Sequence, residues 1–380
     1  QQTPQLPPFQ ITPEQVQKKL KELNHNKSAG PDGLHPRILK ESAAEISIPL
    51  SCIFNNSLRQ GQLPGIWKKA NVVALHKKGS KSSPCNYRPV SLTSIPCKIM
   101  ERIVREHIID HMVLNHLFSP KQFGFISGRS TMLQLLHVIE KWTSALDSGQ
   151  DVKVTYLDFQ KAFDKVPHKR LLHKVKAYGI EQNTSNWIEN FLDGRTQTVN
   201  INGEASRPQV VSSGIPQGSV LGPTLFTIYI NELPSIVNSQ LYLFADDTKV
   251  FLPITDPNDH ITLQQDLNTL HDWSNTWLLK FHPDKCKTMH IGKNHPQQQL
   301  SLPNSPSHLA QVEEEKDLGI IIDHELSFRH HIISQTTKAN KILGIIRRSF
   351  TNLNSSNFRK LYTSLVRPHL EYASSIWHPH

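Results

Sequence analysis

LYLFADDTKVFL, residues 241–252, sets two adjacent carboxylates, Asp246 and Asp247, between two apolar runs: Leu241, Leu243, Phe244 and Ala245 before them, Val250, Phe251 and Leu252 after. The pattern predicts a β-hairpin with the acids at its turn. Neighbouring carboxylates in so apolar a setting are costly unless a cation neutralises them. Mg²⁺ is the natural one, a hard ion that takes carboxylate oxygens at roughly 2.0–2.1 Å and leaves positions for phosphate oxygens. An isolated Ala-Asp-Asp is more often a plain polar turn. The reading therefore depends on a third carboxylate and on phosphate-handling groups elsewhere.

Residues 151–165, DVKVTYLDFQKAFDK, supply the third acid. Val152, Val154 and Tyr156 alternate with Lys153, Thr155 and Leu157 as in a strand, and Asp158 comes at its end. Neighbouring strands of one sheet would gather Asp158, Asp246 and Asp247 around two Mg²⁺ ions about 3.5–4 Å apart, which activate an attacking 3′-hydroxyl and stabilise leaving pyrophosphate. Asp164, six residues on and past the strand end, is the competing candidate and is read rather as a structural acid. In LKFHPDKCKTMHIGK, Lys285 lies near the carboxylates if this strand-like segment pairs back onto the sheet.

Phosphate-handling groups recur along the chain. A short strand, Val72 to Leu75, leads into a basic loop with Lys77, Lys78, Lys81 and Arg88, either a solvated loop or a clamp in which Lys supplies point charge and Arg a fork. A helix through Met100 to His111 precedes Gly124, Gly128, Arg129 and Ser130, where glycines admit a nucleic-acid backbone and Arg129 meets a phosphate. Another helix runs to about Ala145. After a helix from about 168 to 179, TQTVNI reads as a strand with a hairpin turn at Asn202-Gly203. IPQGSVLGP then sets Gly218 and Gly222 around Gln217 and Ser219 before a helix opening at Pro223, with Gln217 placed to touch an incoming nucleotide.

The remaining stretches organise the chain. Thr12, Pro13 and Gln15 give a capping box, with Val16, Leu20 and Leu23 on one helix face. A helical region covers 36–60. A helix with Leu263, Leu267, Leu270, Trp273 and Trp277 packs a core, and a polar low-complexity stretch, NHPQQQLSLPNSPSH, follows further on. EKDLGIIID is a strand pair, and residues 327–380 are helices bearing Lys338, Lys341, Arg347, Arg348, Arg359 and Lys360, either a solvated face or a grip on a duplex backbone. The formal charge of +10 over 380 residues favours a polyanion, though alone it equally fits a soluble basic protein. Cys52, Cys85, Cys97 and Cys286 show no paired spacing, so no zinc knuckle or disulfide framework is expected, and a reducing compartment suits them. His330 and His331 are expected at the surface. No uninterrupted apolar window of membrane length occurs, so secretion and membrane spanning are not expected. The first residue, Gln, and the ending SSIWHPH suggest a fragment of a longer reading frame.

Taken in order, the basic loop with NYRPVSL, GFISGRST, YLDFQKAFDKV, GIPQGSVLGPTLF, LFADD, the Lys285 segment and KDLGI resemble the successive blocks of reverse transcriptases, most closely those of LINE-like non-LTR retrotransposons of the jockey type. The resemblance covers roughly residues 20–375. It implies an α+β right-hand polymerase: an N-terminal helical extension of the fingers over 1–58, fingers and an antiparallel-sheet palm over 59–322, and a partial helical thumb over 323–380. It implies RNA-directed DNA synthesis from dNTPs on an RNA template with a DNA primer, using two Mg²⁺ ions, with Mn²⁺ as an alternative. Residue by residue, Asp158, Asp246 and Asp247 match the catalytic acids and metal ligands. Phe163 matches the steric gate against the 2′-hydroxyl, Lys77 or Lys78 and Arg88 the triphosphate-binding residues, Gln217 and Gly218 the nucleotide pocket, and Lys285 the lysine that protonates pyrophosphate. His282 stands where the family usually has Asn. The resemblance further implies an element-encoded endonuclease region in the full-length protein and a nuclear and cytoplasmic ribonucleoprotein that is not secreted. Two rival readings are an inactive or domesticated RNA-binding remnant of a retroelement, and an organellar intron maturase with a splicing-associated domain after the thumb.

Overall fold

The computed structural model describes residues 3–256, 258–293, 298–303 and 308–378. In chain order the helices are α1 (Pro13–Lys21), α2 (Pro36–Glu41), α3 (Ala43–Gln60), α4 (Ile95–Leu114), α5 (Thr131–Asp147), α6 (His168–Ala177), α7 (Gln182–Leu192), α8 (Gly222–Ile230), α9 (Asp259–Trp277) and α10 (Arg329–Ser349), with shorter helical turns to the end. The strands are β1 (Lys69–His76), β2 (Tyr87–Thr93), β3 (Asp151–Leu157), β4 (Arg195–Ile201), β5 (Glu204–Ala205), β6 (Gln209–Val211), β7 (Gln240–Phe244), β8 (Asp247–Ile254), β9 (Lys287–Ile291), β10 (Ala310–Gln311), β11 (Glu314–Asp317) and β12 (Ile320–Asp323). No helix among the described residues is long and apolar enough to cross a membrane.

The chain divides into two interleaved compact units. The first comprises Gln1–Pro120, Gln160–Glu232 and Ser274–Lys280; the second Lys121–Phe159, Leu233–Trp273 and Phe281–His380. In the first unit β1 pairs antiparallel with β2 and parallel with β4, which in turn carries β5 and β6. Its N-terminal helix starts as read: Thr12 Oγ1 accepts from the Gln15 N–H and Gln15 Oε1 accepts from the Thr12 N–H, with Pro13 at the first helical position. The asparagine-glycine turn also holds, with φ of 52° at Asn202 and 89° at Gly203, joining Ile201 to Glu204.

The second unit is built on a sheet of order β10-β9-β3-β8-β7, in which β3 lies antiparallel to both β8 and β9. Alternation decides its faces. Val152, Val154, Tyr242, Phe251, Met289 and Ile291 pack on one face against Leu135, Val138 and Trp142 of α5 and against Ile320 and Ile322 of β12. With β3 central, a residue at its end is delivered beside residues from two distant stretches.

Several expectations are corrected. The helical region 36–60 is two helices, broken at Ser42, whose hydroxyl donates to the Ile38 carbonyl as α2 ends. The helix read over Met100 to His111 extends over Ile95–Leu114, capped by Ser94. The helix read to about 179 ends at Ala177, and α7 follows it without having been expected. His331 is buried, not at the surface, and its Nδ1 accepts from the Ile321 N–H. Of the low-complexity stretch, residues 294–297 and 304–307 lie outside the described residues, while Leu300 and Leu302 are buried.

Candidate active site

β7 and β8 form the expected hairpin, closed by the Phe244–Asp247 pair around Ala245 and Asp246. Ala245 has φ of 54°, a left-handed conformation that costs a residue with a Cβ roughly 1–2 kcal/mol. The turn persists because its neighbours fix it. The Ala245 N–H donates to Gln122 Oε1 at 3.1 Å, and the same oxygen accepts from the Gly124 N–H at 2.7 Å. Residues 121–124 run alongside β7, with Phe123 donating to the Leu243 carbonyl and Leu243 to that of Lys121. A Cβ on Gly124 would stand 2.3 Å from the Ala245 nitrogen, so only glycine permits this approach.

The third acid arrives across the ladder. Leu157, the last residue of β3, pairs with Thr248, so Asp158 follows directly on the end of the ladder at which Asp247 begins β8. Asp158 is further tied down by its own backbone: its carbonyl accepts from the His282 N–H at 2.7 Å, and its N–H donates to Cys286 Sγ at 3.5 Å. Burial pushes the Cys286 thiol up to about 11. The short turn Pro283–Lys285 before β9 brings Lys285 Nζ to 2.9 Å from Asp158 Oδ2. The strand-like segment thus pairs back onto the sheet as expected, and Lys285 joins the acids.

The Asp247 pKa is pushed up to about 6, first by surrounding protein mass, then by the charges of Asp246, Asp317 and Asp158, against the pull of Lys249. Its side chain is still exposed, so water tempers that effect and carboxylate crowding is the firmer cause. Asp317 and Lys249 were not singled out from sequence. They form a buried ion pair that ties β11 to β8. Among the described residues no three His, Cys, Asp or Glu side chains are gathered tightly enough to hold a metal ion as they stand. The donor set nevertheless fits a hard divalent ion: carboxylates only, mutually repelling, with an ammonium taking one Asp158 oxygen as a counter-charge.

The other predicted residues of this unit are placed differently. Arg129 is half-buried, its Nη1 donating to the Gln122 carbonyl and its guanidinium lying 5.9 Å from the Phe123 ring centre. Lys338, Lys341, Arg347 and Arg348 are all exposed on α10, whose opposite side buries Gln335, Ala339 and Ile346.

The nucleotide-handling candidates belong to the first unit. Lys77 and Lys78 are exposed just past the end of β1, and Arg88 is exposed on β2 opposite Leu75. The same strand gives Pro89 and Ser91 to a cavity of about 310 Å³ that Asp164, Arg195, Gly214 and Gln217 also line. The Ser91 N–H donates to the Gln217 carbonyl at 2.9 Å. Gly218, with φ of 102°, sits where a Cβ would meet the Ser91 carbonyl at 2.7 Å. Gln217 Nε2 donates to Asp164 Oδ1 at 2.7 Å, which orients the glutamine amide. Phe163 stacks on Phe226 with ring centres 4.5 Å apart, and its carbonyl accepts from the Ile215 N–H. Glu101, missed from sequence, is a fully buried carboxylate on α4 that accepts from the Val220 and Leu221 N–H groups at 2.7 and 3.0 Å. It anchors the glycine loop at the start of α8, and burial raises its pKa.

A family model described as reverse transcriptase (RNA-dependent DNA polymerase) matches residues 75–347. The chain is 30% identical to a probable RNA-directed DNA polymerase from transposon BS of Drosophila melanogaster, over 98% of this chain and 42% of the relative. It is 29% identical to the RNA-directed DNA polymerase from mobile element jockey of Drosophila funebris, with the same shares covered. With a retrovirus-related Pol polyprotein from type-1 retrotransposable element R1 of Bradysia coprophila the identity is 25%, over 98% of this chain and 37% of the relative. The chain spans about two fifths of the length of these curated relatives. With the family model matched over residues 75–347 and relatives named as RNA-directed DNA polymerases of non-LTR retrotransposons, the chain belongs to the reverse transcriptase family.

Proposed function

We propose that this chain is the polymerase portion of a retroelement protein, extending a DNA primer with dNTPs on an RNA template. The observation that carries the reading is the convergence on one sheet of Asp158, Asp246 and Asp247 from β3 and the β7–β8 turn, with Lys285 on Asp158. The primer 3′-hydroxyl loses its proton to solvent water as its oxygen forms the new bond to the α-phosphorus, while the bond to pyrophosphate breaks. Asp158, Asp246 and Asp247 would hold the divalent ions that the family uses, and two such ions, when bound, supply activation of the hydroxyl and neutralisation of the leaving group. Lys285 Nζ lies 2.9 Å from Asp158 Oδ2 and is the group placed to pass a proton to departing pyrophosphate. Lys77, Lys78 and Arg88 take the triphosphate, Gln217 and Gly218 the nucleoside, and Phe163 excludes the 2′-hydroxyl.

In this reading the β3-centred sheet is the palm, the β1–β2 hairpin belongs to the fingers, and residues 323–380 are the thumb. Exposed Lys338, Lys341, Arg347 and Arg348 on α10 suit a phosphate backbone and make duplex binding salt-dependent. Arg129 supports its own loop first, and any phosphate contact it makes is made from that fixed position. Primer extension on an RNA template with Mg²⁺ tests the proposal. Asp246→Asn is expected to reduce extension by at least about 10³-fold, on the scale of losing a metal-held transition state, while duplex binding stays intact; retained extension would overturn the metal role.

A further inference from the structure

The left-handed residue of the catalytic turn immediately precedes Asp246, so whatever fixes the Ala245 peptide also fixes where the Asp246 carboxylate stands. A two-residue hairpin leaves that N–H outside the ladder. It is taken instead by a side chain far away in sequence, the fully buried Gln122. One oxygen serves both the Ala245 and the Gly124 N–H groups, while Gln122 Nε2 is buried and finds no partner among the described residues. The amide is therefore held for its acceptor. Its backbone is fixed as well: residues on either side bond to Leu243, and its carbonyl accepts from Arg129.

We propose that Gln122 is the positioning residue of the Ala245–Asp246 turn, setting the aspartate for the chemical step without touching substrate. The inference rests on the polymerase reading above for its kinetic consequence, but its structural content is independent of it. In the 380-residue protein, Gln122→Met keeps length and volume and removes the acceptor. Gln122→Glu keeps an acceptor oxygen in either protonation state and puts a second oxygen in place of the unpartnered amide nitrogen. Hydrogen exchange at the Ala245 amide, read by fragmentation mass spectrometry on metal-free protein, is expected to rise at least about tenfold in Gln122→Met and to stay near the parent rate in Gln122→Glu. Single-nucleotide extension is expected to lose about 10- to 100-fold in kcat in Gln122→Met. The KM for dNTP and the primer–template affinity should stay within about twofold, and Gln122→Glu should recover most of the loss. Unchanged exchange in Gln122→Met, or a Gln122→Glu variant as slow as it, overturns the assignment. If the parent protein extends no primer while the exchange pattern is as expected, the positioning stands and the polymerase reading falls. Should Gln122→Met fail to fold, Gln122→Asn, one methylene too short to reach, is measured in its place with the same expected split.

Discussion

Two β-hairpins of this molecule present charges in opposite ways. The β7–β8 hairpin turns in two residues, flanked by the buried Leu243 and Thr248 and held by Gln122 and by the Lys249–Asp317 pair. The β1–β2 hairpin opens into residues 77–86, where Lys77, Lys78 and Lys81 are exposed. In the proposed reading, the difference follows from what each charge does. Carboxylates that share ions have to be placed to a fraction of an ångström, whereas an ammonium near a polyphosphate acts as a compact point charge on a flexible stem. Rigidity is therefore concentrated at the acids, and the cations are left to reach.

The sharpest way to test this contrast is to loosen the rigid hairpin. Lys249→Met leaves Asp317 buried without its counter-charge and is expected to destabilise the protein by about 3–5 kcal/mol in urea unfolding, most of it recovered by adding Asp317→Leu. A double variant no better than the single one would remove the pair from the account. Next in size, Phe163→Val withdraws the ring stacked on Phe226 and is expected to lower discrimination against ribonucleotides by about 10- to 100-fold in competition assays. An unchanged ratio would take the gate away from Phe163. The β1–β2 hairpin, with its lysines exposed, should respond more gently. Lys77→Gln and Lys78→Gln are each expected to raise the KM for dNTP about 3- to 10-fold, less at high salt, with kcat within about twofold. A large kcat loss in either would mean that this loop, too, is held in place.

The smallest effect concerns pH. The Asp247 pKa in the folded chain is raised to about 6, above an unfolded value of about 3.9. The stability it contributes is thus present below the unfolded value and is lost as pH rises through about 6. Because the side chain is exposed, the change is expected to stay under about 1 kcal/mol. It should appear as a metal-free melting temperature that falls less between pH 4.5 and 7 in Asp247→Asn than in the parent, and equal slopes would show that the carboxylates do not crowd.

What was legible in the sequence is what repeats at short range. Alternation about Asp158 and around Asp246-Asp247 gave the strands, and the Thr12–Gln15 box and Asn202-Gly203 gave a helix start and a turn. The Lys285 segment could be placed because it continues directly into β9. The supports of the site were not legible. Gln122 reaches Ala245, Glu101 reaches Val220 and Lys249 reaches Asp317 across long separations, and each residue by itself looks like an ordinary polar position. The break at Ser42 was missed because the apolar pattern runs through it, and burial of His331 because a neighbouring histidine made both look like a polar surface.

The central strand of the β3 sheet also imposes a timetable on the ribosome. β3 is made well before either of its partners, and at about 5–20 residues per second the stretch from its end to the start of β9 takes on the order of ten seconds to emerge. Until β8 emerges both edges of the strand lack their native neighbours, and one edge stays open until β9, a state that invites wrong pairings. Slowing or speeding translation between codons 158 and 287 should therefore change the yield of native protein without changing a single amino acid.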